Sequence, residues 1–74
     1  MEFDYRKLSG RIVEKFGTRR KFAEVAGLPA SSVSDRLNNK IKISAADMYL
    51  WSSADLLDIP VDQFRDFFFT PKFH

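Results

Sequence analysis

Cysteine is absent from this sequence, so neither a disulfide framework nor a thiolate metal site can be built and the fold must rely on packing alone. A reducing cytoplasm fits that absence. No apolar run approaches the roughly 20 residues that span a bilayer. The opening Met1-Glu2-Phe3-Asp4 lacks the basic and then apolar order of a signal peptide, so the chain is expected to stay in the cell that makes it, with no membrane partner. Glycine and proline number three each, too few for a linker or a low-complexity tract, and there is no internal repeat. The single histidine, His74, has no Asp, Glu or Cys at ligand spacing and reads as tail rather than as metal ligand or base. Nor is there a phosphate-cradling glycine loop, a paired-carboxylate site or a nucleophile beside a base. The expectation is a protein that is not an enzyme, with no cofactor and no small-molecule substrate.

What is present is aromatic and unevenly charged. Eight Phe in 74 residues suit a small core that must extract much burial from few side chains, and a chain of this length closes only one such core. The formal net charge of +2 says little by itself. Its distribution says more: residues 1 to 42 carry ten Lys or Arg against five Asp or Glu, and residues 43 to 74 carry two against five. A basic first half can lie along a phosphate backbone while the acidic half faces away, although a basic surplus is often only solvated surface.

The pattern is helical throughout. Tyr5, Leu8, Ile12, Val13 and Phe16 share one face of a first helix ending at Gly17, with Arg6, Lys7, Arg11, Glu14 and Lys15 turned outward. Thr18 then offers an N-cap hydroxyl, and Phe22, Ala23 and Ala26 form a short apolar face that stops at Gly27. Pro29 opens a third helix whose apolar anchors are Val33 and Leu37, ending at Asn38-Asn39. Ile41-Lys42-Ile43 is a bridging loop expected to plug two side chains into the core. Ser44 with Asp47 resembles a capping box, after which Met48, Trp51, Ala54 and Leu57 predict a long fourth helix ending before Pro60. A short fifth helix carries Phe64, Phe67 and Phe68, all expected to be buried, and closes at Thr70-Pro71. The fold class is therefore all-α, a compact five-helix bundle. It forms a single domain over residues 1 to 74, with a core from about 5 to 69 and an aromatic tail from 69 to 74.

Thr18 to Leu37 is the informative stretch, a short helix, a tight turn at Gly27 and a second short helix with few apolar residues. That is helix-turn-helix geometry, formed by helices two and three, in which the second helix enters the major groove. Ala23 is small where two helices approach closely, and Val33 pins the exposed helix to its partner. The segment Thr18-Arg-Arg-Lys-Phe-Ala-Glu-Val-Ala-Gly-Leu-Pro-Ala-Ser-Ser-Val33 resembles the Cro and repressor-type helix-turn-helix family of phages and bacteria, also called xenobiotic-response-element-like regulators. Asp58-Ile59-Pro60-Val61 resembles that family's link into its fifth helix. Phe3-Asp4-Tyr5 and Phe68-Phe69-Thr70 are similar to the ends of short Cro-like prophage regulators. Two positions depart from the family pattern. Arg36 stands where an apolar residue is usual, with Leu37 supplying the contact one residue later, and Arg19 stands where Gln is frequent.

The resemblance implies a sequence-specific regulator that reads a double-stranded DNA operator with the helix at about residues 30 to 38, in the cytoplasm of a bacterial host, at the nucleoid. Base contacts are expected from Ala30 to a thymine methyl, from Ser31 and Ser34 to several donors or acceptors, and from Asp35 to cytosine N4. Phosphate contacts are expected from Thr18, the cationic run Arg19, Arg20 and Lys21, and from Asn38 and Lys40. The bland reading of all of these is an exposed helix surface. Phe69 and Phe73 exceed what the fifth helix can bury and are the expected surface of a weak homodimer, or of a dimer formed on DNA. A second reading stays open, in which the same helix-turn-helix is a protein-interaction module or antirepressor that binds another regulator, such as a cognate repressor, instead of DNA.

Overall fold

Two local devices set the first three helices. Helix α1 (Arg6–Phe16) stops at Gly17, whose φ of 83° no β-carbon-bearing residue adopts readily. The Thr18 hydroxyl then accepts a hydrogen bond from the Lys21 backbone N–H at 3.1 Å and starts α2 (Arg19–Ala26). Gly27, at φ 75°, ends α2 with its N–H turned back on the Ala23 and Glu24 carbonyls, and Pro29 leads into α3 (Ala30–Leu37) after a three-residue connection. Ser44 and Asp47 cap each other's backbone at the start of α4 (Ala45–Trp51). A 3₁₀ turn at Val61–Gln63 runs into α5 (Phe64–Phe68). This computed structural model describes residues 2 to 73; the tail assignment of His74 falls outside them.

The architecture is all-helical, and no β-strand forms among the described residues. Leu8 and Ile12 of α1, Phe22 and Ala23 of α2, Val33 and Leu37 of α3, Trp51 of α4 and Phe67 and Phe68 of α5 meet in one core. Trp51 is fully buried, edge-on to Phe22 with ring centroids 5.1 Å apart. The Cα radius of gyration, 11.3 Å, matches the compaction expected of a folded chain this long.

Five expectations need correction. The fourth helix is short: it ends at Trp51, and residues 52 to 57 form turns. Trp51, Leu56 and Leu57 are all buried, yet on a continued helix Leu56 and Leu57 would point about 140° and 240° away from Trp51. Breaking the helix lets all three face inward, and backbone bonds hold the turn: the Leu57 N–H donates to the Trp51 carbonyl and the Asp58 N–H to the Ser53 carbonyl, each at 2.9 Å. Ala54, placed on the inner face by the helical reading, is exposed. Val13 is also exposed, since it lies about 100° around α1 from Ile12, at the edge of the apolar stripe. Of the bridging loop, Ile43 is buried and Ile41 is exposed. Phe64 is only half-buried, leaning on Phe68 at 5.3 Å.

The chain ends are tied to each other. Phe3 forms an antiparallel β-bridge with Pro71, the Asp4 N–H donates to the Thr70 carbonyl at 2.7 Å, and the Lys72 N–H donates to the Glu2 carbonyl at 3.1 Å. The Phe69 ring meets Phe3 edge-on at 5.7 Å.

Candidate binding surface

The α2–turn–α3 unit is held from behind. Phe22, Ala23, Val33 and Leu37 are buried, and the Leu28 N–H donates to the Ala23 carbonyl at 2.9 Å, which fixes the turn. The opposite face of α3 is left to solvent. Ala30 and Ser31 are exposed, while Ser34 and Asp35 are half-buried. The Asp35 carbonyl also accepts from the Lys40 and Ile41 N–H groups at 2.8 and 3.3 Å, folding the following loop back on the helix. Thr18, Arg20, Lys21, Asn38 and Lys40 are exposed at the two ends of the unit.

The three consecutive cations have different surroundings. Arg19 is half-buried, and its Nη2 donates to the Ser9 hydroxyl of α1 at 3.4 Å. Lys21 pairs with Glu24 one turn on, at 3.8 Å, an exposed contact of little weight. The Arg20 side chain is exposed and makes no hydrogen bond or ion pair among the described residues. A groove of about 590 Å³ brings Arg19, Asn38 and Phe73 together with Arg6 and Lys72, so three positions singled out in the sequence share one surface. Phe69 is apart from Phe73 in role: it is 43% exposed but packs on Phe3, whereas Phe73 is 87% exposed.

Several residues that hold this surface escape a reading by periodicity. Arg36 donates from Nε to Asp47 Oδ2 at 3.2 Å and from Nη1 to the Ser32 carbonyl at 3.0 Å, so it lashes α3 to the capping box of α4. Its departure from the apolar residue usual at that position was the available signal. Asn39 follows α3 at φ 63°, and its side chain grips the Phe3 backbone. Asparagine tolerates this left-handed conformation better than most residues, which an Asn-Asn pair at a helix end hints at. Arg11, read as outward, reaches the Leu57 and Asp58 carbonyls at 3.1 and 3.3 Å and lies over the Phe67 ring.

Three groups have shifted proton affinity. The Arg6 guanidinium, bonded to both Asp4 carboxylate oxygens, holds the Asp4 carboxyl below its ordinary range, the Asp4 carboxylate in turn raises the proton affinity of the Arg6 guanidinium, and burial pushes the Tyr5 phenol up. Among the described residues, no group of three or more His, Cys, Asp or Glu side chains could hold a metal ion, and no helix is long and apolar enough to cross a membrane. The arrangement offers contact surfaces: a small hydroxyl face on α3, a cationic edge, and aromatic rings at the chain ends.

Over residues 1 to 71, the sequence matches the family described as "Protein of unknown function (DUF739)". The chain belongs to the DUF739 family. No curated protein matches it. Among solved structures, the DUF739 chain is similar to the modulator of repression (MOR) of the temperate bacteriophage TP901-1 from Lactococcus lactis, in solution. The two are 32% identical with a TM-score of 0.81, over 100% of this chain and 97% of that one. The resemblance to Cro and repressor proteins is thus met in part, because the similarity is to a phage regulatory protein and neither match carries a Cro or repressor designation.

Proposed function

We propose that this DUF739 chain is a phage regulatory protein that modulates repression by binding another regulator, a repressor, rather than by reading an operator itself. The observation that carries this reading is the similarity, over the entire chain at 32% identity, to a protein named for modulating repression. The chemistry of α3 supports it. Base readers commonly present Arg or Lys to guanine and Asn or Gln to adenine. Within Ala30–Leu37 the outward side chains are Ala30, Ser31, Ser34 and Asp35, and the one long donor, Arg36, is tied to Asp47 and Ser32. An aspartate on that face also repels phosphate unless it finds its one matching base. In this reading residues 5 to 69 work as one unit in the cytoplasm of the bacterial host.

The second reading is direct operator binding, and one observation favours it: α2 and α3 keep helix-turn-helix spacing with unpaired Arg20 and Lys40 exposed at its edges. Ala30, Ser31, Ser34 and Asp35 would then meet bases, and Thr18, Arg19, Arg20, Lys21, Asn38 and Lys40 would meet phosphates. One titration separates the two readings. The purified chain is added to the repressor encoded beside it, bound to that repressor's operator, and separately to the operator alone at two salt concentrations. The proposal expects the chain to alter repressor occupancy and to bind bare DNA no more tightly than a random duplex. Tight, operator-selective binding by the chain alone, falling steeply with salt, would establish the second reading and defeat the first.

A further inference from the structure

Helix α4 faces solvent with an uncharged surface. Its only ionisable carboxylate, Asp47, is turned toward Arg36, and the outward positions are Ala45, Ala46, Tyr49 and Leu50. Tyr49 is 62% and Leu50 51% exposed, large values for apolar residues in so small a chain. The patch continues onto the C-terminal segment, because the Tyr49 ring lies 5.3 Å from the half-buried Phe64 ring, and Val61, one turn before Phe64, is 62% exposed. Contiguous exposed apolar surface of this kind marks an interaction site more often than scattered single residues do.

Charge decides what covers it. From Ser44 to Asp66 the sequence carries five aspartates and a single cation, Arg65; Asp47 is paired with Arg36 and Asp66 with Lys7, which leaves Asp55, Asp58 and Asp62 exposed. Asp62 adjoins Val61 in the chain and Asp55 lies just beyond the end of α4, both exposed. Two copies of this chain meeting through the patch would bring like charges together at its edge, whereas a partner with an apolar ridge flanked by Lys and Arg gains at both the centre and the rim.

We infer that the outward face of α4, extended by Val61 and Phe64, is the docking surface for a basic amphipathic segment of the partner repressor. This inference rests on the repressor-binding reading above and names the surface that reading leaves open. A repressor must carry basic surface to hold its operator, so the partner's chemistry and the acidic rim agree. The apolar centre supplies affinity, and the carboxylates guide approach and register.

Isothermal titration of the purified repressor into wild-type chain, Tyr49→Ser/Leu50→Ser, Asp55→Asn/Asp62→Asn and Lys15→Gln tests the surface, with circular dichroism melts confirming each fold. The serine pair, both exposed, should leave the fold intact and weaken binding by at least about tenfold. The asparagine pair should weaken it less and flatten its salt dependence, and Lys15→Gln, on exposed α1 surface, should leave it unchanged. Wild-type binding that the serine pair does not reduce overturns the surface while leaving the repressor reading intact. No binding by the wild-type chain overturns both. A sedimentation shift showing that Tyr49 and Leu50 hold two copies of this chain together overturns the assignment in favour of self-association.

Discussion

Asn39 holds Phe3 by both ends of its carboxamide: Oδ1 accepts from the Phe3 N–H at 3.0 Å, and Nδ2 donates to the Phe3 carbonyl at 2.9 Å. The side chain thereby takes the place of a neighbouring strand, with Pro71 on the other side of Phe3. It works only because Asn39 adopts φ 63° just past the end of α3. One residue therefore links the close of α3 to both chain ends. Asn39→Ala should lose both bonds and add left-handed strain, for a loss of about 2–3 kcal/mol in urea unfolding. Asn39→Gly keeps the backbone angle without strain and should cost less, about 1–2 kcal/mol. Equal costs for the two would mean that the backbone angle carries no strain at this position.

Arg36 and Asp47 form the second long-range tie. Their side chains are only about a fifth exposed, so the pair is less screened than a surface ion pair, and Arg36 also bonds the Ser32 carbonyl. Arg36→Leu should destabilise the chain by about 1–2 kcal/mol. Amide exchange should quicken most in α3 and at the start of α4, and less at Leu8 and Ile12 of α1. Uniform acceleration through all helices would show that the tie is global, not a local brace on α3.

These two ties mark where the sequence stopped being readable. Thr18, Gly27, Gly17 and the Ser44–Asp47 box are local signals, written within four residues of the backbone groups they satisfy, and each was legible. The outer face of α3 was legible for the same reason, because Val33 and Leu37 alone face the core. Arg11 with Leu57, Asn39 with Phe3 and Tyr49 with Phe64 join residues distant in the chain, and no periodicity encodes them. The length of α4 failed for a related reason. Met48, Trp51, Ala54 and Leu57 keep helical spacing, but the burial of Leu56 beside Leu57 is a tertiary demand that a single helix face cannot meet.

Tyr5 gives the fold an alkaline limit. Burial raises its phenol pKa, so the folded chain holds the proton more tightly than the unfolded chain does. Its contribution is complete below the ordinary phenol value of about 10 and is lost as pH rises from there through the folded value. Melting temperatures measured from about pH 8 to 11 should fall more steeply for wild type than for Tyr5→Phe above about pH 10. Parallel curves would mean that ionisation of Tyr5 does not contribute.

The two aromatic residues of the tail should separate cleanly, and the separation tests whether the tail joins two copies. Phe69 meets the Phe3 ring edge-on at 5.7 Å and so helps hold the ends of this chain together, whereas Phe73 is 87% exposed and packs on little. Phe69→Ala should cost about 1–2 kcal/mol of stability, in line with loss of an aromatic pair and part of its burial. Phe73→Ala should change stability by less than about 0.5 kcal/mol, as exposed substitutions do. A tail that dimerises predicts something else for Phe73: sedimentation equilibrium of Phe73→Ala should then shift toward monomer although its urea curve does not move. If neither the association state nor operator or repressor binding changes in Phe73→Ala, the tail is not a contact surface. Phe69 then serves the fold alone.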